Sequence, residues 1–204
     1  YEKSHGIYLR DDAVVAAARA AGLERAVVVG MSMGGYVALA AAERHPGFVV
    51  ALGLVDTKST ADDDTARANR LRIAAAVSES RTVDAVLGMP GALLGATSKI
   101  ARRGLTARLE EWIRSQRPDG VAWAQRAMAA RPDRTEVLAR FAGPVSVVVG
   151  EEDTLTPVEA AEHLVAAARG ATLVVVPAAG HMSAVEDASA VANAIGDLWA
   201  VARD

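Results

Sequence analysis

The stretch Ala26-Val27-Val28-Val29-Gly30-Met31-Ser32-Met33-Gly34-Gly35-Tyr36-Val37-Ala38-Leu39 decides how this chain folds. Residues 26–29 are four consecutive apolar residues, three of them β-branched, the form expected of a parallel strand buried on both faces. Gly30 ends that run, and residues 34–45 follow with Ala and Leu at helical spacing until Pro46-Gly47 stops them. A strand that turns straight into a helix holds the residue at the turn, Ser32, at the strand's carboxyl end, and the turn has the form G-x-S-x-G. A serine hydroxyl is a weak nucleophile until it is fixed in an exposed pose and a base takes its proton. Gly30 and Gly34 are expected to permit the sharp turn, because a side chain at either would strike the neighbouring strand or helix. The helix that starts after Ser32 aims unpaired N–H groups at a developing oxyanion, with the N–H of Met33 as the expected donor.

The same alternation extends outward. Residues 11–21 predict a helix with Asp11 and Asp12 at its acidic start, and Val49–Val55 predicts the next strand. Towards the C-terminus, residues 145–149 and 173–176 predict strands on either side of a helix over 157–168, with Pro157 in its first turn. This is the pattern of a parallel α/β sheet flanked by helices. Between the two halves the pattern turns helical, broken at Gly88, Pro90-Gly91, Gly104, Pro118-Asp119-Gly120 and Pro132. Residues 60–135 therefore read as a helical cap inserted into a core made of 1–59 and 136–204. The cap carries Met89, Leu93, Leu94, Trp112, Trp123 and Met128, residues that suit packing onto the core better than roofing a pocket. Trp112 and Trp123, with Met31 beside the serine, are the candidates for substrate contact.

A chain of 204 residues, 51% hydrophobic, buries one core. A net charge of −3 gives no basic footprint for nucleic acid or for an anionic membrane, so neither is an expected partner. The apolar runs are strand-sized, short of the roughly 20 residues that span a bilayer. The absence of cysteine excludes a disulfide framework and fits a reducing, cytoplasmic setting. The opening Tyr-Glu-Lys-Ser-His-Gly has neither an initiator Met nor a signal-peptide pattern and reads as the interior of a longer chain. The glycines near Ser32 do not form G-x-G-x-x-G, which sets dinucleotide binding aside.

Gly-Met-Ser-Met-Gly-Gly-Tyr-Val-Ala-Leu followed by Arg44-His45-Pro46 resembles the nucleophile turn of α/β-hydrolase-fold esterases, small bacterial carboxylesterases and enol-lactonases among them. The resemblance covers essentially the whole chain. It implies an acid in Val147-Val148-Val149-Gly150-Glu151-Glu152-Asp153-Thr154-Leu155-Thr156-Pro157 and a histidine in Val176-Pro177-Ala178-Ala179-Gly180-His181-Met182. Asp153 is the candidate acid, with Asp56 open as an alternative because some relatives place the acid there, while Glu151 and Glu152 are expected to face solvent. His181 is the candidate base. His45 reads as a helix C-terminal cap, His163 as a residue within a helix, and His5 as too close to Ser32 for the family's oxyanion loop.

What the resemblance implies is a serine hydrolase that cleaves a small carboxylic ester through an acyl-enzyme at Ser32, Asp153 and His181, with no cofactor and no metal. Enol-lactone hydrolysis, C–C bond hydrolysis and perhydrolysis use the same three residues, and a non-catalytic, ligand-binding relative is the reading from another class. The family places several strands and a helix before the strand that leads to the serine turn, whereas only Tyr1 to Arg25 precede that strand here. At roughly 30 residues per βαβ unit, about 60 to 80 residues of sheet are missing. A separate N-terminal fragment or a second copy is therefore expected to pair with the strand over 26–29.

Overall fold

Each apolar run becomes a strand in the computed structural model, which describes residues 8–203; His5 lies outside them. The strands β1 (Ala26–Met31), β2 (Val49–Val55), β3 (Val145–Gly150) and β4 (Thr172–Val176) form one sheet in the order β1-β2-β3-β4. Every neighbouring pair is parallel. Parallel strands need crossovers, which helices supply, and helices cover both faces of the sheet. On one face, α1 (Tyr8–Ala20), α2 (Met33–Arg44), α8 (Thr135–Arg140) and α9 (Val158–Ala167) bury Val15, Leu39, Leu138 and Leu164 against Leu52, Leu54 and Val147. On the other, α10 (Ser183–Glu186) and α11 (Ala188–Ala202) cover Val55, Val148 and Val176 with Ala184, Val191 and Ala194.

Between β2 and β3 the described chain is helical, as expected. It runs through α3 (Asp64–Ser80), a 3₁₀ turn (Asp84–Val86), α4 (Pro90–Leu93), α5 (Ala96–Ala101), α6 (Arg103–Arg114) and α7 (Pro118–Ala129) before α8. The carboxylate of Asp63 caps α3 by accepting from the Ala66 N–H at 2.7 Å.

Four expectations are corrected. β1 does not stop at Gly30 but continues to Met31, because these residues still pair with Leu54 and Val55 of β2. Nor is β1 buried on both faces: it is an edge strand, and Val29 is 45% exposed. α1 begins at Tyr8 rather than at Asp11, so Asp11 closes its first turn and Asp12 lies beyond it. Asp11 is buried and accepts from Arg44 at 3.0 Å through both oxygens, while Asp12 accepts from Arg44 at 2.8 Å, so the pair ties α1 to the end of α2. Pro157 is the cap preceding α9 rather than part of its first turn.

Candidate active site

Ser32 stands between β1 and α2 with φ 50° and ψ −115°, a conformation that costs a side-chain-bearing residue energy and is held only where its surroundings enforce it. Gly30 supplies one part of that enforcement, because a Cβ there would lie 2.2 Å from the carbonyl oxygen of Gly34. Gly34 does not have the role expected of it: a Cβ at that position meets nothing within 4 Å. The crowded glycine is Gly35, where a Cβ would sit 2.4 Å from the Thr57 hydroxyl. The physical reason is that Thr57, just past β2, leans over the start of α2 and donates to the Ser32 carbonyl at 2.7 Å. Met33 is the first residue of α2, so its N–H has no partner within the helix.

Three loops from three strand ends meet at Ser32. Its hydroxyl oxygen lies 2.8 Å from His181 Nε2, and His181 Nδ1 lies 2.8 Å from Asp153 Oδ2. An imidazole that donates its Nδ1 proton to a carboxylate presents the Nε2 lone pair to whatever faces it, here the serine hydroxyl. Asp153 is fixed in turn. Its Oδ1 accepts from the N–H groups of Leu155 (2.8 Å) and Thr156 (3.0 Å), and its Oδ2 accepts from the Thr156 hydroxyl at 2.8 Å. Burial pushes the Asp153 carboxyl up, but the hydrogen bond and charge of His181, with the Thr156 donors, outweigh it and hold the group below the ordinary aspartate value.

Asp56, the alternative acid, makes no hydrogen bond to His181. Its Oδ1 accepts from the Gly150 N–H at 3.1 Å, and its Oδ2 accepts from Ser183 through the N–H at 3.1 Å and the hydroxyl at 2.6 Å. It therefore links the loop that carries Asp153 to the loop that carries His181. Burial pushes its carboxyl up to about 6, against the pull of the Ser183 and Gly150 donors.

Glu151 and Glu152 do more than face solvent. Glu151 accepts from the Ala178 N–H at 3.1 Å, and Glu152 accepts from the N–H and hydroxyl of Thr97 at 2.8 and 2.6 Å. His45 is the C-terminal cap of α2, its ring nitrogen 2.9 Å from Asp12, and His163 lies exposed on α9. The three substrate-contact candidates separate. Trp123 packs with Met33, Val37 and Met128 around Tyr36, on the side of the serine turn that faces the cap. Met31 packs in the cluster beneath α11, because a strand side chain next to the turn points through the sheet. Trp112 is 39% exposed on α6, stacked under Arg108 at 4.8 Å. Sequence reasoning missed Thr57, Thr156 and Gly35. Of these, only Thr156 had a local signal, the Asx-turn spacing of Asp153-Thr154-Leu155-Thr156. Among the described residues Asp11, Asp12 and His45 bring potential metal-ligand atoms within 4.8 Å of one another, but the Arg44 guanidinium already supplies positive charge to both carboxylates.

The alpha/beta hydrolase family model matches residues 4–194. The chain belongs to that family. An esterase from Thermogutta terrifontis, solved with malate bound, is 30% identical and superposes with a TM-score of 0.93 over 98% of this chain and 74% of its own. A hydrolase from Pseudomonas aeruginosa (24% identity, TM-score 0.85, 96% and 72% covered) and the enol-lactonase of Burkholderia xenovorans (22% identity, TM-score 0.82, 96% and 73% covered) share the fold. No curated protein sequence matches the chain. This alpha/beta hydrolase has, among its described residues, no helix long and apolar enough to cross a membrane.

Proposed function

We propose that this hydrolase is a serine carboxylesterase acting on small esters through an acyl-enzyme. The observation that carries the reading is the unbroken line Ser32 Oγ to His181 Nε2 to His181 Nδ1 to Asp153 Oδ2, with both links at 2.8 Å. In acylation the Ser32 oxygen bonds to the ester carbonyl carbon while its proton passes to His181 Nε2, and Asp153 stabilises the imidazolium that forms. The carbonyl oxygen becomes an oxyanion that accepts from the Met33 N–H. Collapse of the intermediate breaks the ester C–O bond, and His181 returns the proton to the departing alkoxide, releasing the alcohol. Water, deprotonated by the same imidazole, then releases the acid and restores Ser32. Trp123 and Met128 pack in one cluster with Met33, the residue after Ser32, and supply apolar surface that suits a small acyl group. On the same reading, an N-terminal fragment or a second copy pairs along the open edge of β1, where Val29 is exposed.

Intact mass spectrometry before and after a fluorophosphonate probe, with peptide mapping, tests the assignment. The expected result is one adduct on Ser32 together with hydrolysis of p-nitrophenyl acetate, and a Ser32→Ala variant that folds, takes no adduct and turns over on the order of 10⁴-fold or more slowly. An esterase rate retained in Ser32→Ala overturns the proposal.

A further inference from the structure

Glu186 closes α10, five residues after His181, and is only 2% exposed. A carboxylate buried to that degree needs donors at both oxygens, and it has them from two separate parts of the molecule. Its Oε1 accepts from the N–H of Gly180, the residue before His181, at 2.9 Å. Its Oε2 accepts from the N–H of Gly95, in the turn between α4 and α5, at 2.9 Å. The surrounding contacts repeat the pattern. The Met182 N–H donates to the Leu93 carbonyl at 3.1 Å, Arg102 donates to the main-chain carbonyl of Glu186, and Thr97 donates twice to Glu152 beside Asp153. The two main chains also touch directly, since a Cβ on Gly180 would lie 2.3 Å from the Gly95 nitrogen. Residues 93–102 thus grip the chain on both sides of His181.

We propose that Glu186 is a positioning residue that fixes the His181 loop against the 93–97 turn, so that the reach of the imidazole to Ser32 depends on how that helical segment is seated. The proposal rests on the serine-hydrolase reading. A carboxylate accepts at both oxygens, whereas a carboxamide accepts at one and sets an N–H against an N–H at the other. Glu186→Gln must therefore release either Gly95 or Gly180. Gly95→Ala acts from the opposite side with the carboxylate intact, because its Cβ would lie 2.9 Å from the Gly180 nitrogen and 2.5 Å from Glu152 Oε2.

Both variants are made in the full chain. The fraction of chains that takes the fluorophosphonate is titrated, and kcat for p-nitrophenyl acetate is expressed per titrated site. Expected for each is a titrated fraction near that of the wild type, kcat lowered about 10- to 100-fold, KM within threefold, and the probe's second-order rate lowered in step with kcat. A role confined to holding the fold would lower the titrated fraction and leave kcat per site unchanged, and that outcome overturns the proposal. So does kcat per site within twofold of wild type in both variants. If Glu186→Gln does not fold, Gly95→Ala decides alone. A wild-type protein that takes no adduct on Ser32 overturns the parent reading, and this one with it.

Discussion

The turns after β2 and β3, the two inner strands, each bury an aspartate at the strand's carboxyl end, yet the two carboxylates are used differently. Asp153, after β3, faces an imidazole that can carry positive charge. Asp56, after β2, faces the neutral donors of Gly150 and Ser183. Burial penalises both charges, and only the first has a partner strong enough to reverse the penalty, so one carboxyl is held down and the other is pushed up to about 6. The lesson is that position at a strand end does not assign a role to a buried acid; the chemistry of the group opposite does.

The sharpest way to break this contrast is to neutralise each acid in turn. Asp153→Asn is expected to lower kcat by about 10³- to 10⁴-fold, because the amide disfavours the tautomer that leaves Nε2 free to accept the serine proton. Asp56→Asn is expected to cost about tenfold, through loosened loops. Steady-state rates on p-nitrophenyl acetate decide, and equal losses would erase the distinction.

Stability against pH separates the two acids by sign. For Asp56 the folded value, about 6, lies above the ordinary 3.8, so its contribution to stability is full below pH 3.8 and is lost as the pH rises through about 6. That change amounts to about 3 kcal/mol at most. Urea denaturation should therefore show the wild type losing ground to Asp56→Asn between pH 4 and pH 7. Asp153 is depressed below 3.8, so its contribution is present above that value and is lost as the pH falls through the folded one. Wild type measured against Asp153→Asn should move in the opposite direction.

The smallest expected effect probes how the turn after β2 presses on the serine turn. Gly35→Ala drives a methyl into Thr57 and should cost about 1–3 kcal/mol. Gly34→Ala enters open space at a helical position and should be neutral or stabilising by up to about 1 kcal/mol. Thermal melts of the two variants, one residue apart, measure the difference.

The sheet was legible in the sequence because each strand is a short run rich in Val with at most one polar residue, which suits a parallel strand covered by helices. Ser32, Asp153 and His181 were legible because each sits in a loop directly after such a run. The rest depends on contacts that local sequence does not carry. Which glycine is crowded depends on Thr57, from another strand end. Asp56 also follows a strand, and its role in linking the Asp153 and His181 loops shows only in the folded chain. Glu186 has no periodic or turn signature, because its two donors come from a helix junction and from the loop before it. Trp112 and Trp123 looked alike in the cap, and the packing of α7 beside the serine turn, with α6 left outward, separates them.

The hydrogen bonds of Asp56 and Thr57 also constrain the order of assembly. Thr57 reaches Ser32 across 25 residues of chain, whereas Asp56 reaches Gly150 across 94 and Ser183 across 127. The serine turn can thus be braced early, from a short loop. The carboxylate beside that brace stays without its donors until β3 and the segment beyond β4 have docked, and closing those long loops is slow entropic work. The stretch of chain after β4 both supplies donors to the buried Asp56 carboxyl and delivers His181, so satisfying that group and completing the site depend on the docking of one segment.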